Sequence, residues 1–485
     1  MPHTLSNEFL GAKLTDVEFS YVLQFRGIPY GRIPARFAKP ESVEDLPLEL
    51  DCTKFGPRCP QIPVDVGYLL RLPASHTLPH EHEDEFACLN INVVVPKPKD
   101  TSPLSSQRLP VLVWIHGRSK AMIFGSFASG DCDMKTLASD AQSNGTPIVC
   151  VSIQYRVNIF SFGDETSAKN PAVLDQAPAP EWVQQHIMDF GGDPNPVTLA
   201  SESAGAVYYH VHMINEAPAK QIILSSGTLH LSPPQPPERA AAVRNAIMSK
   251  LQGLGQYHLR SAPCHVLLKA ISKTGIQSWF LQNGPLLENW QSKAVIWRKD
   301  IWSTDAETIA EAFNQAGPEG DELKQVHKID KARPSSCKLG ALDFINAYRF
   351  VHHIERLVRE WRAAQRPVCR CLVDEPNPWQ PSNGAHHAVD LILLFRGFDH
   401  LVDGVAKHTG KEMRRRWIVF IHGKDPWRSE SDVAFGPHGT FKELGQDEYK
   451  SRRKLAQIDY LTKADSGLLG KAFRALAAGR VSLSN

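Results

Sequence analysis

No stretch of this 485-residue chain reaches the roughly 18 to 20 consecutive apolar residues that a membrane-spanning helix needs. The longest apolar pieces, Leu109–Ile115 and Leu391–Phe395, have the length of strands, so the sequence predicts no transmembrane segment. Charge of one sign is equally scarce. Lys and Arg number 54 against 52 Asp and Glu, a formal net charge of +2, too little to draw the molecule to nucleic acid or to an anionic membrane. Nine cysteines, an odd number thinly spread, do not make a disulfide scaffold. Internal repeats and long low-complexity tracts are missing too, and Ser232-Pro233-Pro234-Gln235-Pro236-Pro237 is short enough for a surface loop. Met1 to Phe9 carry neither a basic start nor an apolar run, which predicts a cytoplasmic start rather than a secretory leader.

What is present is the composition of a packed protein, 42% hydrophobic and 22% charged. Leu109 to His116 reads as a strand buried on both faces, and Ile148 to Ile153 as a second. After Pro180, Trp182, Val183, His186 and Ile187 fall at helical spacing, and Gly191-Gly192-Asp193-Pro194 stops that helix. A short strand, Val197-Thr198-Leu199, runs into Ser201-Glu202-Ser203-Ala204-Gly205 and then into helix formers. Gln221–Leu224 and Arg370–Val373 supply further strands, with a helical stretch from Phe344 to Arg362 between them. The alternation predicts an α/β fold with a mostly parallel sheet flanked by helices. Residues 1–485 read as a single domain, the last ~20 residues forming a loosely attached tail.

A serine that ends a strand and begins a helix is the arrangement of a nucleophile elbow. The turn is tight enough that residues two before and two after the serine must be small. Here they are Ser201 and Gly205 around Ser203.

Several further motifs, in the same order along the chain, resemble the type-B carboxylesterase and lipase family, the cholinesterase-like branch of the α/β hydrolases, and its fungal members in particular. They are Gln24 to Tyr30, Phe55 to Gln61, Cys88 to Val93, Asp175-Gln176, Phe190 to Pro194 and Glu202 to Ala206, with Phe395 and Trp417 to Gly423 nearer the C-terminus. The resemblance implies an α/β-hydrolase fold, ester hydrolysis through an acyl-enzyme, a small-molecule ester as substrate, and no metal or organic cofactor. It makes Ser203 the nucleophile. Gly384-Ala385-His386-His387-Ala388-Val389-Asp390 matches the family's late motif only with His387 in register, so His387 is the expected base and His386 a bystander. Ala204 is expected to give one oxyanion N–H, and the loop through Arg118 and Ser119 the others. That loop departs from the family, which has glycines where this chain has Arg118.

The third triad member has no evident counterpart. The family carries its acid on a strand and turn between nucleophile and histidine, whereas here Gly284 to Trp290 passes through Gln291-Ser292-Lys293-Ala294 straight to Val295-Ile296-Trp297. The triad acid is therefore unassigned. Asp374-Glu375 reads as a structural turn, and Glu288 and Asp300 merely flank the gap. A hydrolase-fold protein that binds without turnover is the alternative, since losing the acid lowers turnover by ~10⁴. The resemblance also sets Cys59 and Cys88 where secreted relatives close a disulfide, a pairing that a reducing compartment disfavours. Cys369-Arg370-Cys371, His210-Val211-His212 and His352-His353 lack the spacing of metal sites. Arg414–Arg416 and Arg452–Lys454 read as solvated helix faces, and Tyr208 and Tyr209 as packing residues behind the elbow.

Overall fold

The computed structural model describes residues 4–7, 12–43, 45–73, 78–98, 104–117, 120–123, 128–130, 132–215, 219–229, 232–255, 257–276, 278–288, 306–386, 388–395 and 397–478. Its centre is a seven-stranded sheet. In chain order the strands are β1 (Val17–Glu18), β2 (Val22–Pro29), β3 (Asn90–Pro96), β4 (Leu109–Ile115), β5 (Val149–Ile153), β6 (Gly192–Glu202) and β7 (Gln221–Ser225). Their spatial order is β7-β6-β4-β5-β3-β2-β1. From β7 to β5 the pairing is parallel, and beyond β5 it is antiparallel.

Strand β4 shows why an unbroken apolar run sits at the middle. Val111, Val113 and Ile115 face one core while Leu112 and Trp114 face the other, so both faces exclude water and every position favours an apolar side chain. The helix expected after Pro180 is α1 (Pro178–His186), which begins earlier because Pro178 occupies its first turn. A 3-10 turn, Ile187–Phe190, follows, and Gly191 at φ 79° turns the chain into β6. That strand starts at Gly192, ahead of the expected Val197, with a break in register between the two. Helix α2 (Ala204–Ile214) runs directly from its far end.

Two expectations are corrected in the C-terminal third. Arg370–Val373 (β8) is a strand but does not extend the large sheet. It pairs parallel with β9 (Asp432–Phe435), which is antiparallel to β10 (Phe441–Leu444), in a separate three-stranded sheet. Between Ser225 and Arg370 the described residues form no strand. β7 is thus the sheet's edge among the described residues, and Ile222, Ile223 and Leu224 are only half-buried. Leu391–Phe395 is helical rather than extended. It belongs to α3 (Val389–Phe395), whose residues are all buried, and a helix apolar on every side gives the same sequence run as a buried strand.

Helices Ala306–Asn314, Pro334–Asn346, Leu455–Lys463 and Ser466–Ala478 enclose a third core that includes Ile309, Phe313, Phe344, Ile458, Leu461, Leu469 and Leu476. The helical stretch expected from Phe344 to Arg362 is divided by a π turn at Ala347–Val351. The basic runs are not solvated throughout. Arg414, on α4 (Gly404–Ile421), is 1% exposed and donates to Asp140 and to the carbonyls of Leu393 and Leu394. Arg452 pairs with Asp374 and Glu448, and Arg453 is buried. The Arg414 and Arg452 guanidinium groups thus tether neighbouring elements. No helix among the described residues is long and apolar enough to cross a membrane.

Candidate active site

The end of β6 determines the site. Ser203 adopts φ 57° and ψ −122°, a sparsely populated conformation that persists only when its surroundings enforce it. Enforcement comes from hydrogen bonds on both sides. The Ser203 N–H donates to the Ser225 carbonyl at 2.8 Å, and the Ser203 carbonyl accepts from the Val207 N–H of α2 at 3.1 Å. The small residues predicted around it are needed for different reasons. A Cβ on Gly205 would lie 2.0 Å from Ser201 Oγ and 2.6 Å from the His116 carbonyl, so no side chain fits there. Ser201 is tolerated because its hydroxyl donates to the buried Ile115 carbonyl at 2.7 Å.

Ala204 is the first residue of α2. Its N–H therefore lacks an acceptor within the helix, which suits a donor waiting for an oxyanion. The loop after β4 lies close by: a Cβ on Gly117 would be 2.3 Å from the Glu202 carbonyl and 3.0 Å from Glu202 Oε2. Arg118 and Ser119, the expected further donors, lie outside the described residues. His116, where the loop begins, is buried and stacked on Tyr155 with ring centroids 4.1 Å apart, and its carbonyl accepts from the Tyr155 hydroxyl. Burial pushes its imidazole down to about 3, so the ring is neutral at pH 7. Tyr209 donates to the Val113 carbonyl at 3.1 Å, and Tyr208 packs edge-on against Tyr155, both behind the elbow as expected.

His387 also lies outside the described residues. Its neighbour His386 is described, and its role is structural. Asn377 Oδ1 accepts from the backbone N–H groups of Trp379 and Gln380, and its Nδ2 donates to the Leu70 carbonyl. That fixes which end of the amide carries protons. Nδ2 must then donate to His386 Nε2, 2.8 Å away, so this nitrogen's lone pair is engaged. His210 is likewise committed, its Nδ1 accepting from the Leu229 N–H.

Of the carboxylates weighed as a triad acid, none of the described ones is placed for it. Asp374 pairs with Arg452. Glu375 is buried but accepts from Thr409 Oγ1 and from the Gly439 N–H, a structural turn as expected. Glu288 is exposed, and Asp300 lies outside the described residues. Asp175 forms a buried bidentate pair with Arg156, which explains the Asp175-Gln176 motif as a structural anchor.

One contact escaped the sequence reading. Asp390, in the first turn of α3, is 6% exposed and its Oδ2 accepts from Ser225 Oγ at 2.5 Å. Its presence at the end of the Gly384–Asp390 motif was the available signal, but nothing in the sequence tied it to Ser225. Cys59 and Cys88 are buried free thiols.

A family model described as the carboxylesterase family matches residues 8–296. Lipase 3 of Yarrowia lipolytica (strain CLIB 122 / E 150) is 28% identical over 502 residues, covering 95% of this chain and 96% of its own. Carboxylesterase 1C of Rattus norvegicus is 40% identical over 195 residues, 38% of this chain and 33% of its own. Among solved structures, a PNB esterase superposes with a TM-score of 0.71 at 23% identity, covering 93% of this chain and 99% of that one.

Proposed function

This chain belongs to the carboxylesterase family, and we propose that it hydrolyses small-molecule carboxylic esters with Ser203 as nucleophile and His387 as general base. Ser203 Oγ attacks the ester carbon as its proton passes to the imidazole. The acyl C–O bond to the alcohol then breaks, and the alcohol leaves carrying that proton. Water, activated by the same imidazole, releases the acid and regenerates the serine. Ala204 and the Arg118 and Ser119 loop supply the N–H donors for the tetrahedral oxyanion.

The observation that carries this reading is the strained backbone of Ser203 at the junction of β6 and α2. Its alternative, a hydrolase-fold protein that binds ligands without turnover, is favoured by the lack of a strand between β7 and β8 among the described residues. Hydrolysis of a short-chain nitrophenyl ester separates the two. Turnover that disappears in Ser203→Ala supports the enzyme, and rates equal to that variant's contradict it. Cys59 and Cys88, free thiols rather than the disulfide of secreted relatives, suit a reducing compartment such as the cytoplasm.

A further inference from the structure

We propose that Asp390 is a positioning residue for the nucleophile. Through the hydroxyl of Ser225 it pins the turn that supports the elbow, and so keeps Ser203 in the conformation from which its Oγ attacks. The inference rests on the reading of Ser203 as nucleophile given above.

The elbow leans on a second strained turn. The chain leaves β7 through Ser225, Ser226 and Gly227, and Ser226 sits at φ 61°, the left-handed region that a residue with a Cβ enters only at a cost. The residues on either side of it grip Ser203. The Ser225 carbonyl accepts from the Ser203 N–H at 2.8 Å, and a Cβ on Gly227 would lie 1.8 Å from the Ser203 carbonyl oxygen, so the two backbones are in direct contact. A shift of this turn is therefore passed on to the serine.

Such a turn needs an anchor. It follows β7, which among the described residues pairs on one side only, with β6. The Ser225 hydroxyl supplies a tether from outside the sheet by donating to Asp390 Oδ2 at 2.5 Å, the length of a strong bond from a hydroxyl to a carboxylate. Asp390 stands in the first turn of α3, whose residues are all buried, so the tether is set in the core.

A carboxyl group is a costly choice for packing alone. Asp390 is 6% exposed, and its second oxygen, Oδ1, has no hydrogen-bond partner among the described residues. A buried carboxylate with a single donor lowers stability where an apolar side chain would not. Among the described residues the carboxylate's one hydrogen bond goes to Ser225, so what that cost maintains is the turn under the elbow. Asp390 acts on the substrate only through Ser225 and Ser203.

Steady-state hydrolysis of a short-chain nitrophenyl ester, with melting curves alongside, tests this on the full-length protein. The set is wild type, Ser203→Ala, Ser225→Ala, Ser225→Thr, Asp390→Leu and the double variant Ser225→Ala/Asp390→Leu. Ser225→Ala and Asp390→Leu should each lower kcat about 10- to 100-fold, the scale of a small displacement at a reacting group, with KM little changed. The double variant should fall no further than the lower of the two, because both break one bond. Ser225→Thr, which keeps the hydroxyl, should hold kcat within a few-fold of wild type. A melting temperature that drops while kcat holds makes the bond structural only and overturns the proposal, as do additive losses in the double variant or a loss confined to KM. If Asp390→Leu does not fold, Ser225→Ala against Ser225→Thr decides. Wild-type turnover no faster than Ser203→Ala overturns the underlying hydrolase reading, whereas an active wild type with unaffected variants overturns this proposal alone.

Discussion

The N–H of Ser203 donates to the carbonyl of Ser225 across 2.8 Å, joining the end of β6 to the end of β7. The two strands are parallel neighbours, with Glu202 in register with Ser225. The bond holds the serine in its strained turn and brings α3, through Asp390, to the same place. Chemistry at Ser203 therefore depends on residues that only the sheet brings near it.

Adding one methyl group beside the elbow tests this dependence. Gly205→Ala should destabilise the protein by about 1–3 kcal/mol, the usual range for overpacking a core, because its Cβ would meet Ser201 Oγ and the His116 carbonyl. Thermal melting checks the first effect. The rate of labelling by a fluorophosphonate should fall as the turn deforms, and an unchanged rate would show that the turn tolerates the methyl.

The two adjacent histidines should part company on substitution. His386→Ala leaves one of the two Asn377 amide protons without its acceptor, the other still meeting the Leu70 carbonyl, a loss of about 1–3 kcal/mol of stability, with kcat within a few-fold of wild type. His387→Ala should keep its melting temperature and lose kcat by more than 10³. The reverse pattern in paired melts and assays would show that the register of the motif is wrong.

Breaking the buried pair of Arg156 and Asp175 should be severe. Both side chains are almost entirely buried, at 1% and 0% exposure, so Asp175→Asn strands a guanidinium in the core. The expected cost is about 3–5 kcal/mol, read from urea unfolding. A cost below about 1 kcal/mol would mean that water reaches the pair.

His327 gives a pH dependence of stability. It is 1% exposed, neither ring nitrogen has a partner among the described residues, and its ring packs edge-on against Phe344 at 5.3 Å. Burial pushes its imidazole down to about 4, with Asp343 and Lys454, themselves an ion pair, acting in opposite directions. The folded value lies below the ordinary 6.5, so below pH 6.5 the unfolded chain binds the proton first. Stability is complete above that pH and falls by up to about 1.4 kcal/mol per pH unit toward pH 4. Melting curves at pH 7 and pH 5 should show His327→Leu losing less than wild type, and parallel losses would count against the assignment.

Much of this architecture was legible in the residues. The run Leu109–Ile115 reads as a strand covered on both faces, and Ser201 to Gly205 between a strand and helix formers as a sharp turn, and the structure has both. Less legible were features that depend on partners far away in sequence. Leu391–Phe395 has the composition of a buried strand, and its helical state follows from its place between α4 and the sheet. Arg414 reads as a surface residue until Asp140, 274 positions away, supplies its counter-charge. The bond between Ser225 and Asp390 spans 165 positions, and no local pattern signals it. The lack of a strand between β7 and β8 among the described residues, in contrast, agrees with a jump between two motifs in the sequence, and β7 there is a half-buried apolar edge.

The central claim is that Ser203 is a nucleophile, and covalent labelling tests it most directly. Wild-type protein treated with a fluorophosphonate, digested and mapped by mass spectrometry should carry the adduct on the peptide containing Ser203, and Ser203→Ala should carry none. Equal labelling of both proteins, or an adduct on another residue alone, would contradict the account.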